Sequence, residues 1–178
     1  WGMGRRGPSS DRQVRINAMA EPTAWVDRGN ARGSRPALIM ADQPSKSYGT
    51  EQQCLDSARK VMQAGAHMVK VEGDDWLIPM ITSLTRQGVP VCAHLGLTPQ
   101  AVNKLGGYKV QGRDNAAAEA MLANAQALEA AGVDLLVLEC VPSELATRIS
   151  HRLRIPVVGI GAGRGPDSQL LVVQDMLG

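Results

Sequence analysis

His67-Met68-Val69-Lys70-Val71-Glu72 reads as a strand that finishes in ionisable residues, and this run decides the fold. Strand side chains repeat every two residues, so Lys70 and Glu72 project from the same face while Val69 and Val71 project from the other. Three further apolar runs behave alike: 37–41 leads into Asp42, 89–92 leads to His94, and 135–138 leads into Glu139. Helical patterns separate them. Thr50 with Gln53 is a capping-box start for a helix reaching about Ala64, with Cys54, Leu55, Ala58, Val61 and Met62 at helical spacing. Gly65, Gly88 and Gly132 stand where C-terminal caps belong. Asp74 and Asp75 open a second helix, a third runs from about Asn115 to Ala131, and Ser143 is placed to cap a fourth. Strands follow at 157–160 and, last, at 169–173.

Nearly continuous apolar strands alternating with helices predict a parallel sheet covered by helices. Polar residues recur at the strands' C-terminal ends, which fits a (β/α)8 TIM-type barrel better than an open doubly wound sheet. About six of the eight strand-helix units are present, so the chain divides into an irregular, poorly ordered Arg-rich leader at 1–35 and a partial barrel at 36–178. The connection after His94 is unusually long and rich in glycine, through Gly106-Gly107-Tyr108-Lys109-Val110-Gln111-Gly112-Arg113. Long ordered loops in compact domains usually serve function.

With Phe absent and aromatics at 3%, the core must be aliphatic and Met-rich. The net charge of +2 conceals an uneven distribution. Residues 1–35 hold seven Arg against Asp11, Glu21 and Asp27, which leaves the remainder mildly acidic and argues against nucleic-acid affinity. No apolar run is long enough to span a bilayer. Cys54, Cys92 and Cys140 are odd in number and scattered, as expected of reduced thiols in a cytoplasmic protein.

In parallel α/β folds the chemistry lies beyond the C-terminal ends of the strands. Asp42, Lys70, Glu72, His94, Glu139, Gly161 to Gly163 and Asp175 are expected there. Lys70 with Glu72 is either a structural ion pair or a working pair, and its setting inside an apolar strand favours the second. Asp42 is a loop cap or, with Glu72, half of a hard oxygen site suited to Mg²⁺. Glu139 is a structural acid or a general base. His94 polarises an oxygen, fixes a carboxylate or is a hydrogen-bonded core residue. The string Gly159-Ile160-Gly161-Ala162-Gly163 is read equally well as a phosphate loop or as close backbone packing.

The strings Val69-Lys70-Val71-Glu72-Gly73, His94-Leu95-Gly96-Leu97-Thr98-Pro99-Gln100, Gly106 to Arg113 and Leu138-Glu139-Cys140-Val141-Pro142 together resemble the ketopantoate hydroxymethyltransferases, from about Pro36 to Gly178. The resemblance implies a TIM barrel that carries a hydroxymethyl group from 5,10-methylenetetrahydrofolate to the 2-oxo acid 3-methyl-2-oxobutanoate, giving 2-dehydropantoate for pantothenate and coenzyme A synthesis. It implies Mg²⁺ on Asp42 and Glu72, substrate contacts from Asp42, Lys70 and His94, Glu139 as the proton acceptor, and a cytoplasmic homo-oligomer, a decamer. It also implies a further metal Asp and a substrate Ser just ahead of a string like Trp1-Gly2-Met3, so that the chain is expected to begin just past that pair. Gln43 and Ser45 stand where the family has Leu and Phe, while Ser168 and Gln174 replace a Gly and a His. Two alternatives compete: a phosphoenolpyruvate-type metal-dependent lyase or mutase, and an inactive barrel remnant that pairs through a sheet edge.

Overall fold

The computed structural model describes residues 37–44, 46–99, 107 and 109–177, with Met19, Ala20, Thr23, Ala24 and Asp27 ahead of them. The leader expected at 1–35 therefore lies largely outside the described residues, as do Ser45 and most of the loop between 100 and 108. Six strands form one sheet in chain order: β1 (Met40–Asp42), β2 (Met68–Glu72), β3 (Val91–Gly96), β4 (Leu135–Glu139), β5 (Val157–Ile160) and β6 (Ser168–Gln169). Every neighbouring pair is parallel, and the sheet curls into a half-barrel. With them run helices α1 (Glu51–Gln63), α2 (Ile78–Arg86), α3 (Asn115–Ala130), α4 (Ser143–Arg152) and α5 (Val173–Leu177); Asp74 and Asp75 open a single 3-10 turn (Asp75–Leu77) that leads into α2, and not α2 itself.

The helix starts and stops follow from local chemistry. Thr50 caps α1 by accepting from the Gln53 amide at 3.3 Å, and Asp114 caps α3 by accepting from the Ala117 amide at 2.9 Å. Helices α1, α2 and α3 all end in the same paired turn, with Gly65, Gly88 and Gly132 at positive φ. In α1, for example, the Gly65 amide donates to Met62 and the Ala66 amide to Val61, which satisfies two carbonyls that the last turn would otherwise leave open. Ser143 is not the cap of α4: Pro142 holds that position, and no side chain caps the helix.

The two-residue period divides the sheet into two faces. Val69, Val71, Val91, Ala93, Leu95, Leu136, Leu138 and Val157 face the helices and join the main core. Met68, Cys92 and Val137, with Met40, Leu135, Val158 and Ile160, form a second apolar cluster on the concave face. At the strands' N-terminal ends, side chains hold amides that the ladder does not use. His67 Nδ1 accepts from the Ile39 amide at 3.0 Å, Asp134 from Val91 at 2.9 Å and Asp167 from Val157 at 2.8 Å. That end of the sheet is built for stability.

Three expected boundaries move. β1 begins at Met40 and not at Ala37, because the Ile39 amide bonds the His67 ring instead of a strand. β3 continues past Cys92 to Gly96, so His94 sits within the strand and does not close it. The last strand is Ser168–Gln169, not 169–173: the Leu170 amide makes a final bond to Gly159, and the chain then turns into α5, which carries Asp175 away from the strand ends. No helix among the described residues is long and apolar enough to cross a membrane.

Leu136 is fully buried between Ala93 on β3 and Val157 on β5. Leu136→Ala should lower unfolding stability by about 3 kcal/mol, the usual cost of a core Leu deletion. A urea titration checks this; a loss below about 1 kcal/mol would mean the helix-facing layer is not the core.

Candidate active site

The concave face changes character along each strand. Met40 is followed two residues later by Asp42, Met68 by Lys70 and then Glu72, Cys92 by His94, and Val137 by Glu139. The apolar residues form a floor, and the ionisable ones stand above it toward the C-terminal ends. Register steps them across the sheet: Asp42 is level with Lys70, Glu72 with His94, and Glu139 with Gly96 one rung further up.

Five of the residues expected at the strand ends, Asp42, Lys70, Glu72, His94 and Glu139, meet in one contiguous chain. Lys70 Nζ contacts Asp42 Oδ1 and lies 3.5 Å from Glu72 Oε1. His94 bridges the next gap, with Nδ1 3.7 Å from Glu72 Oε1 and Nε2 3.2 Å from Glu139 Oε2. Side-chain exposure is 5% for Glu72, 3% for His94, 14% for Lys70, 20% for Glu139 and 48% for Asp42. The middle of the chain is therefore dry, and its two ends face the opening.

Burial and charge oppose each other here. Burial pulls the Lys70 ammonium toward neutrality, but Asp42 and Glu72 outweigh it, and its pKa ends above the ordinary lysine value. Burial likewise pulls His94 down, while Glu139 and Glu72 more than compensate and leave the imidazole above its usual range. Cys92, in the floor, is pushed up to about 12, chiefly by burial, and stays an inert thiol.

Three carboxylates thus share one lysine and one histidine, a surplus of negative charge that suits a cation. Among the described residues no three His, Cys, Asp or Glu side chains are placed to hold a metal by themselves. Asp42 and Glu72, both touching one ammonium, nonetheless offer the two hard oxygen donors that Mg²⁺ often takes from protein, with water and substrate oxygens completing its shell. The donor set fits.

The structure brings further residues to the site that the sequence reading did not place there. Tyr48 is buried, its hydroxyl donates to the Glu72 carbonyl at 3.4 Å, and its ring stacks on Trp76 with centroids 6.0 Å apart. Burial and then the Glu72 charge push the Tyr48 phenol up to about 12. Gln43 is fully buried, and its backbone N–H donates to the Lys70 carbonyl at 2.8 Å, fixing the turn after Asp42. Cys140, next to Glu139, has φ 53, an unusual conformation for a residue with a side chain. Its amide donates to Ile160 at 2.9 Å, and its carbonyl accepts from Gln111 at 2.9 Å, which docks the end of the long loop beside Glu139. The scarcity of aromatics could have drawn attention to Tyr48 and Trp76; nothing in the sequence marks Cys140.

Close packing against α4 accounts for Gly163, the last glycine of the string, and for Gly165 beyond it. A Cβ on Gly163 would lie 2.5 Å from the Ser143 Cβ, and one on Gly165 would lie 2.7 Å from the Thr147 Cβ. Asp175 is exposed on α5 and takes no part in the cluster.

Solved structures share this architecture. Oxaloacetate acetylhydrolase superposes with a TM-score of 0.59 at 15% identity, over 90% of this chain and 56% of that one. A 2,3-dimethylmalate lyase of the PEP mutase/isocitrate lyase superfamily gives 0.57 at 17% identity, over 80% and 49%. At such identities the likeness concerns the fold alone. Sequence relatives are far nearer. The 3-methyl-2-oxobutanoate hydroxymethyltransferase of Marinobacter nauticus is 57% identical over 177 residues, and those named for Hahella chejuensis and Vibrio cholerae are 54% and 50% identical. Each alignment takes in 99% of this chain, which spans 66% of the length of these relatives. The profile described as ketopantoate hydroxymethyltransferase matches residues 1–178, and so takes in the residues ahead of β1 as well as the half-barrel. By that match and those identities, the chain belongs to the ketopantoate hydroxymethyltransferase family.

Proposed function

We propose that the concave face carries out transfer of a hydroxymethyl group from 5,10-methylenetetrahydrofolate to 3-methyl-2-oxobutanoate, giving 2-dehydropantoate. The observation that supports this reading best is the unbroken sequence of contacts Asp42, Lys70, Glu72, His94, Glu139, in which an acid open to solvent stands at each end of a desolvated middle.

The reaction needs a proton removed from C3 of the 2-oxo acid, and the electron pair left behind delocalises onto the keto oxygen. Glu139 takes that proton. His94, held against Glu139, keeps the carboxylate aimed and offsets its charge. Lys70 and Asp42 contact the keto acid, the ammonium facing its carboxylate. Asp42 and Glu72 would hold Mg²⁺, which when bound supplies positive charge where the keto oxygen gains negative charge. The C3 carbon then bonds to the folate's methylene carbon, water supplies the product hydroxyl oxygen, and tetrahydrofolate leaves. Three free thiols, two of them fully buried, agree with a reducing, cytoplasmic setting. A homo-oligomer belongs to the same reading.

Two outcomes test it. Mg²⁺ with 3-methyl-2-oxobutanoate at about a hundred times its dissociation constant should add about 2.7 kcal/mol of stability, a rise in melting temperature of roughly 5–10 °C. No shift would point to an inactive barrel remnant, and a shift with phosphoenolpyruvate analogues instead would point to lyase or mutase chemistry. Separately, Glu139→Gln should slow hydrogen–deuterium exchange at C3 of the keto acid by at least about 100-fold while leaving keto-acid binding in place. Exchange at the wild-type rate, followed by NMR, would remove Glu139 from the role of base.

A further inference from the structure

We infer that Gly96 is a positioning residue for Glu139; the inference rests on Glu139 acting as the base. Gly96 is the last residue of β3 and pairs in register with Glu139, the last residue of β4. Its φ is +93°, in the region that side chains rarely adopt. A Cβ added there would lie well inside van der Waals contact with the Glu139 carbonyl oxygen and 2.9 Å from Val141 Cγ1. The next residue holds the same oxygen: the Leu97 amide donates to the Glu139 carbonyl at 2.8 Å. The peptide joining Glu139 to Cys140 is therefore clamped from the β3 side, and Cys140 is clamped in turn by its amide bond to Ile160.

This clamp matters for the carboxylate as well as the backbone. His94 lies two residues before Gly96 on the same strand. The spacing of β3 and β4 at the mouth thus fixes both the Gly96 contact and the 3.2 Å approach of Glu139 Oε2 to His94 Nε2. A methyl group at position 96 must part the strands or turn the Glu139 peptide by about 1 Å, a misplacement that can cost about 100-fold in rate without touching the reacting atoms. Gly88 provides the comparison. Its φ is +72°, yet a Cβ there would meet nothing within 4 Å, so substitution brings the backbone strain without the displacement.

The experiment compares Gly96→Ala, Gly88→Ala and the unaltered chain. It measures C3 exchange and affinity for 3-methyl-2-oxobutanoate in the presence of Mg²⁺, and backbone amide exchange at Leu97 and Cys140. Gly96→Ala should lower the C3 exchange rate by about 100-fold, keep keto-acid affinity within about threefold, and deprotect both amides. Gly88→Ala should change none of these. A Gly96→Ala protein whose C3 exchange stays within about threefold of the unaltered chain overturns the inference, and so does an equal loss in Gly88→Ala. If the unaltered chain shows no C3 exchange, the functional reading fails, and the amides alone decide: deprotection of Leu97 in Gly96→Ala supports the clamp, and retained protection overturns it. If Gly96→Ala does not fold, the unaltered chain answers, with slow Leu97 exchange supporting the clamp and fast exchange overturning it.

Discussion

A buried ammonium must be matched by carboxylates, and the site is organised round that requirement. Lys70 rises from an apolar floor with two acids in reach, Glu72 on its own strand and Asp42 on the next. Removing one partner from a buried pair typically costs about 3–5 kcal/mol, because the remaining charge is left without compensation. Glu72 is dry enough for that figure to be relevant, whereas Asp42 is half in water and its pairing is worth less. The acid in direct contact with Lys70 is thus also the more exposed of its two partners.

The same sheet serves two purposes at its two ends. At the strand starts, His67, Asp134 and Asp167 spend their side chains on backbone amides, where they hold neighbouring segments together. At the strand ends, Asp42, Lys70, Glu72, His94 and Glu139 contact one another on the concave face. His67 and His94 illustrate the division. One ring accepts a main-chain hydrogen and has a structural task; the other lies between two carboxylates.

The site was legible because strand side chains repeat every second residue. A Lys and a Glu two apart in an apolar strand must share a face, and acids ending adjacent parallel strands must share an edge. His94 was placed one step wrong because a histidine inside a buried strand is costly unless it is paired, and the paired acids come from other strands. Tyr48, Cys140 and Gly96 were not legible as parts of the site. Their roles arise from contacts across the sheet, to Glu72, Ile160 and Glu139, which no local pattern encodes. Ser143 failed as a cap for a local reason: Pro142, with φ fixed by its ring, enters the helix without help.

The strand order β1 to β6 is the order of the chain itself, so every ladder joins segments that are neighbours in sequence. Among the described strands each one pairs with the strand before it, even across the long connection between β3 and β4. Each strand has its template already made when it emerges during synthesis, and the sheet can grow by accretion from β1 onward. Lys70 therefore finds both of its acids within β1 and β2, and the neutralisation of its charge does not wait for β3 or β4 to join the sheet.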